Sequence, residues 1–126
     1  MKMASPRRYR DGVYMHRIAG DIYGGALRHS PELLRRQLDH VRWPSHAGYY
    51  LQLIAVAGWS SLPWLPFLRQ PTLIMAGTDD PLVPMLNGRI LARLIPNARL
   101  VTIDDGHLFL VTSAGQSGAI VSEFLA

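Results

Sequence analysis

Two short loops of this 126-residue sequence carry the residues best suited to proton-transfer chemistry: Gly77-Thr78-Asp79-Asp80-Pro81 and Asp104-Asp105-Gly106-His107. A carboxylate that accepts the Nδ1 proton of a histidine fixes its tautomer and stabilises the imidazolium formed when Nε2 takes a proton. Such a pair can activate a hydroxyl placed within reach of Nε2. On chemistry alone, either Asp79 or Asp80 could serve as the acid. Asp104 and Asp105 read as the turn that presents His107. A metal pair is the weaker reading, because no second histidine follows at ligand spacing. His16, His29, His40 and His46 are scattered through the first half and read as surface or cap residues.

The elements around these loops follow from local pattern. Thr72 to Ala76 is a short apolar run between Pro71 and Gly77, as expected of a buried parallel strand. Leu86, Ile90, Leu91 and Leu94 then mark a helix closed by Pro96, with Gly88 as a mild weakness. Arg99 to Ile103 is the next strand. A last helix is expected at about Gln116 to Leu125, with Ile120, Val121 and Phe124 on one side. This is a βαβ unit plus a final helix. A right-handed crossover puts both loops on one rim of the sheet, and paired strands lie about 4.8 Å apart, so a carboxylate of one loop can reach the imidazole of the other. Two parallel strands alone make a poor sheet and leave an apolar edge open to another chain. The expectation is a fragment, a truncated gene product or one half of a split enzyme.

Ahead of the proline-rich stretch Leu62 to Pro71 the pattern is helical. Ser30 is a candidate N-cap with Pro31 at the first helical position, and Leu34, Leu38 and Val41 recur until Pro44. Ser45 is a second candidate cap, for a helix in which Ala47, Tyr50, Leu51 and Ile54 share a face and Gly58 marks the end. The aromatic segment Trp59, Trp64, Phe67 follows.

Composition narrows the classes. The chain is 48% hydrophobic and 17% charged, with no cysteine, which excludes disulfides and thiolate metal sites and makes the cytosol the default compartment. The N-terminal MKMASPRRYRDGVYMHR has no apolar stretch behind its basic residues and does not read as a secretory signal. The run Tyr49 to Trp59 is too short for a membrane span and is interrupted by Gln52. Residues 1–70 hold ten Lys and Arg against four Asp and Glu, and residues 71–126 hold three against five. Arg7, Arg8, Arg10, Arg35 and Arg36 lack the interleaved aromatics of a stacking surface, so a solvated helical face is expected and nucleic acid is not.

The strings PTLIMAGTDDPLVP and IPNARLVTIDDGHLFL resemble the acid loop and histidine loop of α/β-hydrolases. More narrowly, SPRRY, DIYGGALR, GYYLQLIAVAGWSSLPWL and DDGHLFLVT together resemble intracellular poly(3-hydroxyalkanoate) depolymerases over nearly the whole chain. A related esterase or enol-lactonase would share much of these strings. The resemblance implies the C-terminal portion of an α/β-hydrolase fold, a βαβα core piece (residues 69–126) preceded by a helical cap (residues 1–68). It implies Asp80 as the triad acid, at the family spacing from Gly77, and His107 as the general base and acid. Asp79 remains the competing acid. Tyr49, Tyr50, Trp59 and Trp64 could line an acyl channel, although packing of the cap on the core explains them as well. No cofactor or metal is implied, and the substrate would be a polyester or small ester.

The departure from the family is the nucleophile. The sequence has no G-x-S-x-G elbow on a strand before the acid and no oxyanion loop. Gly58-Trp59-Ser60-Ser61-Leu62 lacks the closing glycine and follows a helical pattern; Gly115-Gln116-Ser117-Gly118 comes after the histidine. These 126 residues are therefore expected to be inactive alone. The alternative is a non-catalytic module that binds a polyester granule, a second copy, or a partner chain supplying the other half.

Overall fold

The computed structural model describes residues 11–38 and 45–126. His40, Val41, Pro44 and the SPRRY string lie outside the described residues.

Helix α1 (Gly12–Tyr23) begins where the Asp11 side chain accepts the Tyr14 backbone N–H at 2.9 Å. Met15, Ile18, Ala19 and Ile22 recur at i, i+3, i+4 and i+7, and all four are buried. Helices α2 (Gly25–His29) and α3 (Pro31–Leu38) add Leu27 and Leu34 to the same cluster. Ser30 accepts the Leu33 N–H at 3.4 Å, and Pro31 opens α3. Leu82 and Leu108, which flank the two chemistry-bearing loops, pack against this cluster. The first helices are thus joined to the loops by apolar burial as well as by hydrogen bonds.

Helix α4 (His46–Ala57) is capped as expected, Ser45 accepting the Gly48 N–H at 3.1 Å, and it ends at Gly58. The residues expected to share a face, Ala47, Tyr50, Leu51 and Ile54, are exposed, and Tyr49 is buried. The helix contains no Asp, Glu, Lys or Arg, and from Tyr49 to Ala57 only Gln52 is polar, so periodicity could not choose a face for it.

A 3-10 turn at Leu65–Phe67 seats Leu65 in a second cluster with Ile74 and Ile95. Strands β1 (Thr72–Gly77) and β2 (Ala98–Ile103) pair in parallel, from Thr72 opposite Ala98 to Gly77 opposite Ile103. Helix α5 (Met85–Leu94) is the crossover. Gly88 proves to be a contact point: it is buried, and a Cβ there would lie 3.3 Å from both Ala76 Cβ and Leu100 Cδ1. The short α6 (Phe109–Thr112) and α7 (Ala114–Leu125) close the described chain. Among the described residues the sheet has two strands, so the second edge of each is unpaired. No described helix is long and apolar enough to cross a membrane.

Candidate active site

In-register parallel pairing ends β1 at Gly77 and β2 at Ile103, side by side, so both loops leave from one rim. The ladder continues briefly beyond the strands: Thr78 donates its N–H to Ile103 O at 2.9 Å, and Asp79 to Asp105 O at 3.1 Å. Across the rim, Thr78 Oγ1 donates to Asp104 Oδ1 at 3.0 Å.

This packing brings Asp80 and His107 together. Asp80 Oδ2 lies 2.9 Å from His107 Nδ1, and Asp80 Oδ1 accepts the backbone N–H groups of Leu82 at 2.8 Å and Val83 at 2.9 Å. The turn that follows Asp80 therefore fixes its carboxylate orientation. The Asp80 side chain is 5% exposed and that of His107 is 34% exposed. The Tyr23 ring stacks beside the imidazole, with centroids 6.3 Å apart and planes 17° apart. With Nδ1 engaged by the carboxylate, Nε2 is the ring nitrogen left to exchange a proton. The pair lies in the wall of a cleft of about 460 Å³, bounded also by Met75 of β1, Leu91 of α5 and Phe109 of α6.

The neighbouring aspartates have different partners. Asp79 Oδ2 accepts the Gly25 N–H at 2.8 Å and pairs with Arg28 Nη1 at 2.8 Å. The Gly25 N–H, aided by Arg28, holds its carboxyl below the ordinary range. Asp105 is 4% exposed and accepts four hydrogen bonds. Oδ1 takes the N–H groups of Ala26 (2.8 Å) and Gly106 (2.7 Å), while Oδ2 takes the hydroxyls of Thr112 (2.5 Å) and Ser113 (2.6 Å). Burial works to raise its pKa, but the bonds from Ser113, Thr112, Ala26 and Gly106 outweigh it and the net shift is downward. Asp104 is exposed and holds Thr78.

The part played by the Tyr23-Gly24-Gly25-Ala26 bend was not legible beforehand. His107 donates its backbone N–H to Tyr23 O at 2.7 Å, so the bend touches both loops. Gly24 and Gly25 have φ of 65° and 52°, and a Cβ on Gly25 would fall 1.9 Å from Gly106 N. The doubled glycine was the available signal, since a Gly-Gly pair between helical segments marks positive φ or close backbone approach.

The aromatic residues named as candidate channel lining are elsewhere. Tyr49 is buried against Tyr50 at 5.5 Å, while Tyr50, Trp59 and Trp64 are exposed, and none of the four bounds the cleft at His107. Ser60 is exposed and accepts the Leu62 N–H at 3.4 Å, whereas Ser117 is buried and donates to Phe109 O at 3.2 Å. His16 is an exposed residue bonded to Gly12 O, and His29 is exposed as well. No cluster of three His or acidic residues able to hold a metal occurs among the described residues.

A parallel βαβ unit with an Asp-to-His bond across its rim is the arrangement expected of an α/β-hydrolase core. The alpha/beta hydrolase fold family matches residues 7–114, and the chain belongs to that family. It is 52% identical over 123 residues to a poly(3-hydroxyalkanoate) depolymerase from Ectopseudomonas oleovorans, covering 98% of this chain and 44% of the relative. Among solved structures it is similar to the enol-lactonase from Burkholderia xenovorans LB400, with TM-score 0.78 and 22% identity, covering 95% of this chain and 48% of the other. It is also similar to MGS-M2, an α/β hydrolase from a Medee basin deep-sea metagenome library, with TM-score 0.71 and 22% identity, covering 95% and 46%. At those identities the two structures speak for the fold. The chain spans about half the length, or slightly less, of each of these relatives.

Proposed function

We propose that this chain carries the acid and base of a serine ester hydrolase acting on polyesters of the poly(3-hydroxyalkanoate) type. His107 accepts the proton of a serine and returns it to the leaving alcohol, and Asp80 holds the imidazole in the Nδ1–H tautomer and stabilises its charged form. The observation that carries this reading is the 2.9 Å bond between Asp80 Oδ2 and His107 Nδ1 at the rim of a parallel sheet. The 52% identity to a depolymerase supports the substrate class. The serine belongs to sequence outside these 126 residues, in the same reading frame or in a companion chain, and the residues in hand do not turn over ester alone. Residues 1–68 serve as the helical cap of the complete enzyme, and the protein works in the cytoplasm, at the surface of polyester inclusions.

The test begins with the locus: an in-frame or neighbouring segment encoding G-x-S-x-G is expected. In the longest product that includes both parts, His107→Ala lowers kcat on a short p-nitrophenyl ester by about a thousandfold or more, the scale seen when a triad member is removed. Wild-type turnover in His107→Ala sinks the proposal. His107-dependent turnover by the 126-residue chain alone would instead reveal a nucleophile within it.

A second reading is favoured by one observation, the large apolar side chains left exposed from α4 to the 3-10 turn: Leu51, Ile54, Val56, Trp59, Trp64 and Phe67. Patches of this kind mark interaction surfaces. In that reading the chain binds a polyester granule without catalysis, or docks a partner through this patch and the open edge of β1. Co-sedimentation of the soluble, monomeric chain with granules, lost in Trp59→Ser/Trp64→Ser, would support it; no co-sedimentation would remove the granule form.

A further inference from the structure

The Asp80–His107 pair does not hold itself in place. Its two loops are gripped from one side by the bend between α1 and α2, through contacts that neither loop's own sequence supplies. Helix α2 starts at a glycine, which has no side chain to cap it, and its first two N–H groups point at the loops: Gly25 N–H to Asp79 and Ala26 N–H to Asp105. Orphan donors at a helix start attract carboxylates; here one carboxylate comes from the acid loop and the other from the histidine loop. Tyr23 O takes the backbone N–H of His107 itself.

Asp105 is the centre of this arrangement. Its carboxylate offers about four acceptor positions, and four donors fill them. One comes from α2, one from the adjoining turn at Gly106, and two from the far end of α6 at Thr112 and Ser113. The segment from position 105 to 113 is therefore closed around one buried carboxylate, with His107 inside the closed segment. A turn-former would need only the Gly106 contact. The two hydroxyl bonds and the Ala26 bond fix where the whole histidine loop stands against the rest of the protein.

We infer that Asp105 is a positioning residue for His107: with the Tyr23–Ala26 bend it forms a brace that holds the imidazole at bonding distance from Asp80. The inference rests on the proposed proton-transfer role of that pair only for its catalytic meaning; the placement itself is measurable without substrate. An amide keeps the shape but loses the charge, so its bonds to Ala26, Gly106, Thr112 and Ser113 are no longer charge-assisted.

The experiment is proton NMR of the Nδ1 hydrogen of His107 in the 126-residue chain, with circular dichroism to report folding. Wild type shows a downfield Nδ1 proton that Asp80→Asn abolishes. Asp105→Asn accelerates exchange of that proton about tenfold or more, since each hydrogen bond to a charged group is worth roughly that factor. Ile22→Val, which loosens the α1 core without touching the brace, leaves the exchange within about twofold of wild type. If Asp105→Asn does not fold, Thr112→Val and Ser113→Ala each remove one donor and retain the charge, and they carry the same expectation. Wild-type exchange in a folded Asp105→Asn, or in both donor variants when Asp105→Asn does not fold, overturns the inference. So do a missing Nδ1 signal in wild type and an Ile22→Val effect as large as that of the brace variants. A responsive Nδ1 proton in a protein whose complete product hydrolyses no ester would defeat the proposed function and leave the brace standing.

Discussion

Three of the four aspartates on this rim, Asp79, Asp80 and Asp105, have different tasks because of what each carboxylate meets. Asp80 meets an imidazole and its own turn, Asp79 meets a helix start and an arginine, and Asp105 meets two N–H groups and two hydroxyls. The downward pKa shift of Asp105 has a stability consequence. A carboxyl whose folded-state pKa lies below its ordinary 3.8 contributes stability above that pH and loses it as pH falls through the folded value. Thermal melts of wild type and Asp105→Asn should therefore differ most above pH 3.8 and converge below it. A difference that stays constant down to the acid end would show that the carboxylate charge is not what its four partners hold. The sequence alone presented Asp105 as a turn residue; nothing local to Asp104-Asp105-Gly106 announces partners at Ala26, Thr112 and Ser113.

Among the elements, α2 is too short to be stable by itself and exists because the loops cap it. At Gly25 a methyl group would meet Gly106 N at 1.9 Å, on a backbone with φ of 52°. Gly25→Ala is expected to lower stability by about 2 kcal/mol or more, combining left-handed strain with displaced backbone. Urea unfolding measures this, and a change below about 0.5 kcal/mol would mean that the bend can move off the histidine loop freely. The Ser45 cap of α4 is a smaller case. Ser45→Ala removes a 3.1 Å bond at an exposed helix start and should cost about 0.5–1 kcal/mol by the same measurement. Local signals for caps and stops were readable at Ser30, Ser45, Gly58 and Pro96, because these depend on neighbours within a turn. The buried face of α4 was not, because apolar residues lie all around that helix and Gln52 alone breaks their run.

For the whole molecule, two small apolar clusters rather than one hold the described chain: Met15, Ile18, Ala19, Ile22, Leu27 and Leu34 on one side, Leu65, Ile74 and Ile95 on the other. Ile22→Ala, at a position 1% exposed, should destabilise by about 2–5 kcal/mol. Because Leu82 and Leu108 pack on the same cluster, unfolding followed at the histidine loop should shift together with unfolding followed by far-ultraviolet circular dichroism. Separate transitions would show that the helices and the loops they grip come apart independently.

What the amino-acid sequence determined by itself is the βαβ order, the strand and helix limits near residues 72 to 103, and the presence of an acid loop and a histidine loop on one rim. These follow from apolar periodicity, from proline and glycine punctuation and from the handedness of the crossover, all local or topological constraints. The resemblance to the acid loop of α/β-hydrolases singled out Asp80 over Asp79. Only the tertiary structure decided that Asp79 caps α2 from 54 residues away, that Asp105 is buried at the centre of four bonds, and that Tyr50, Trp59 and Trp64 face outward. Those outcomes depend on which surfaces meet after the chain has folded back on itself, and no spacing within one element encodes that meeting.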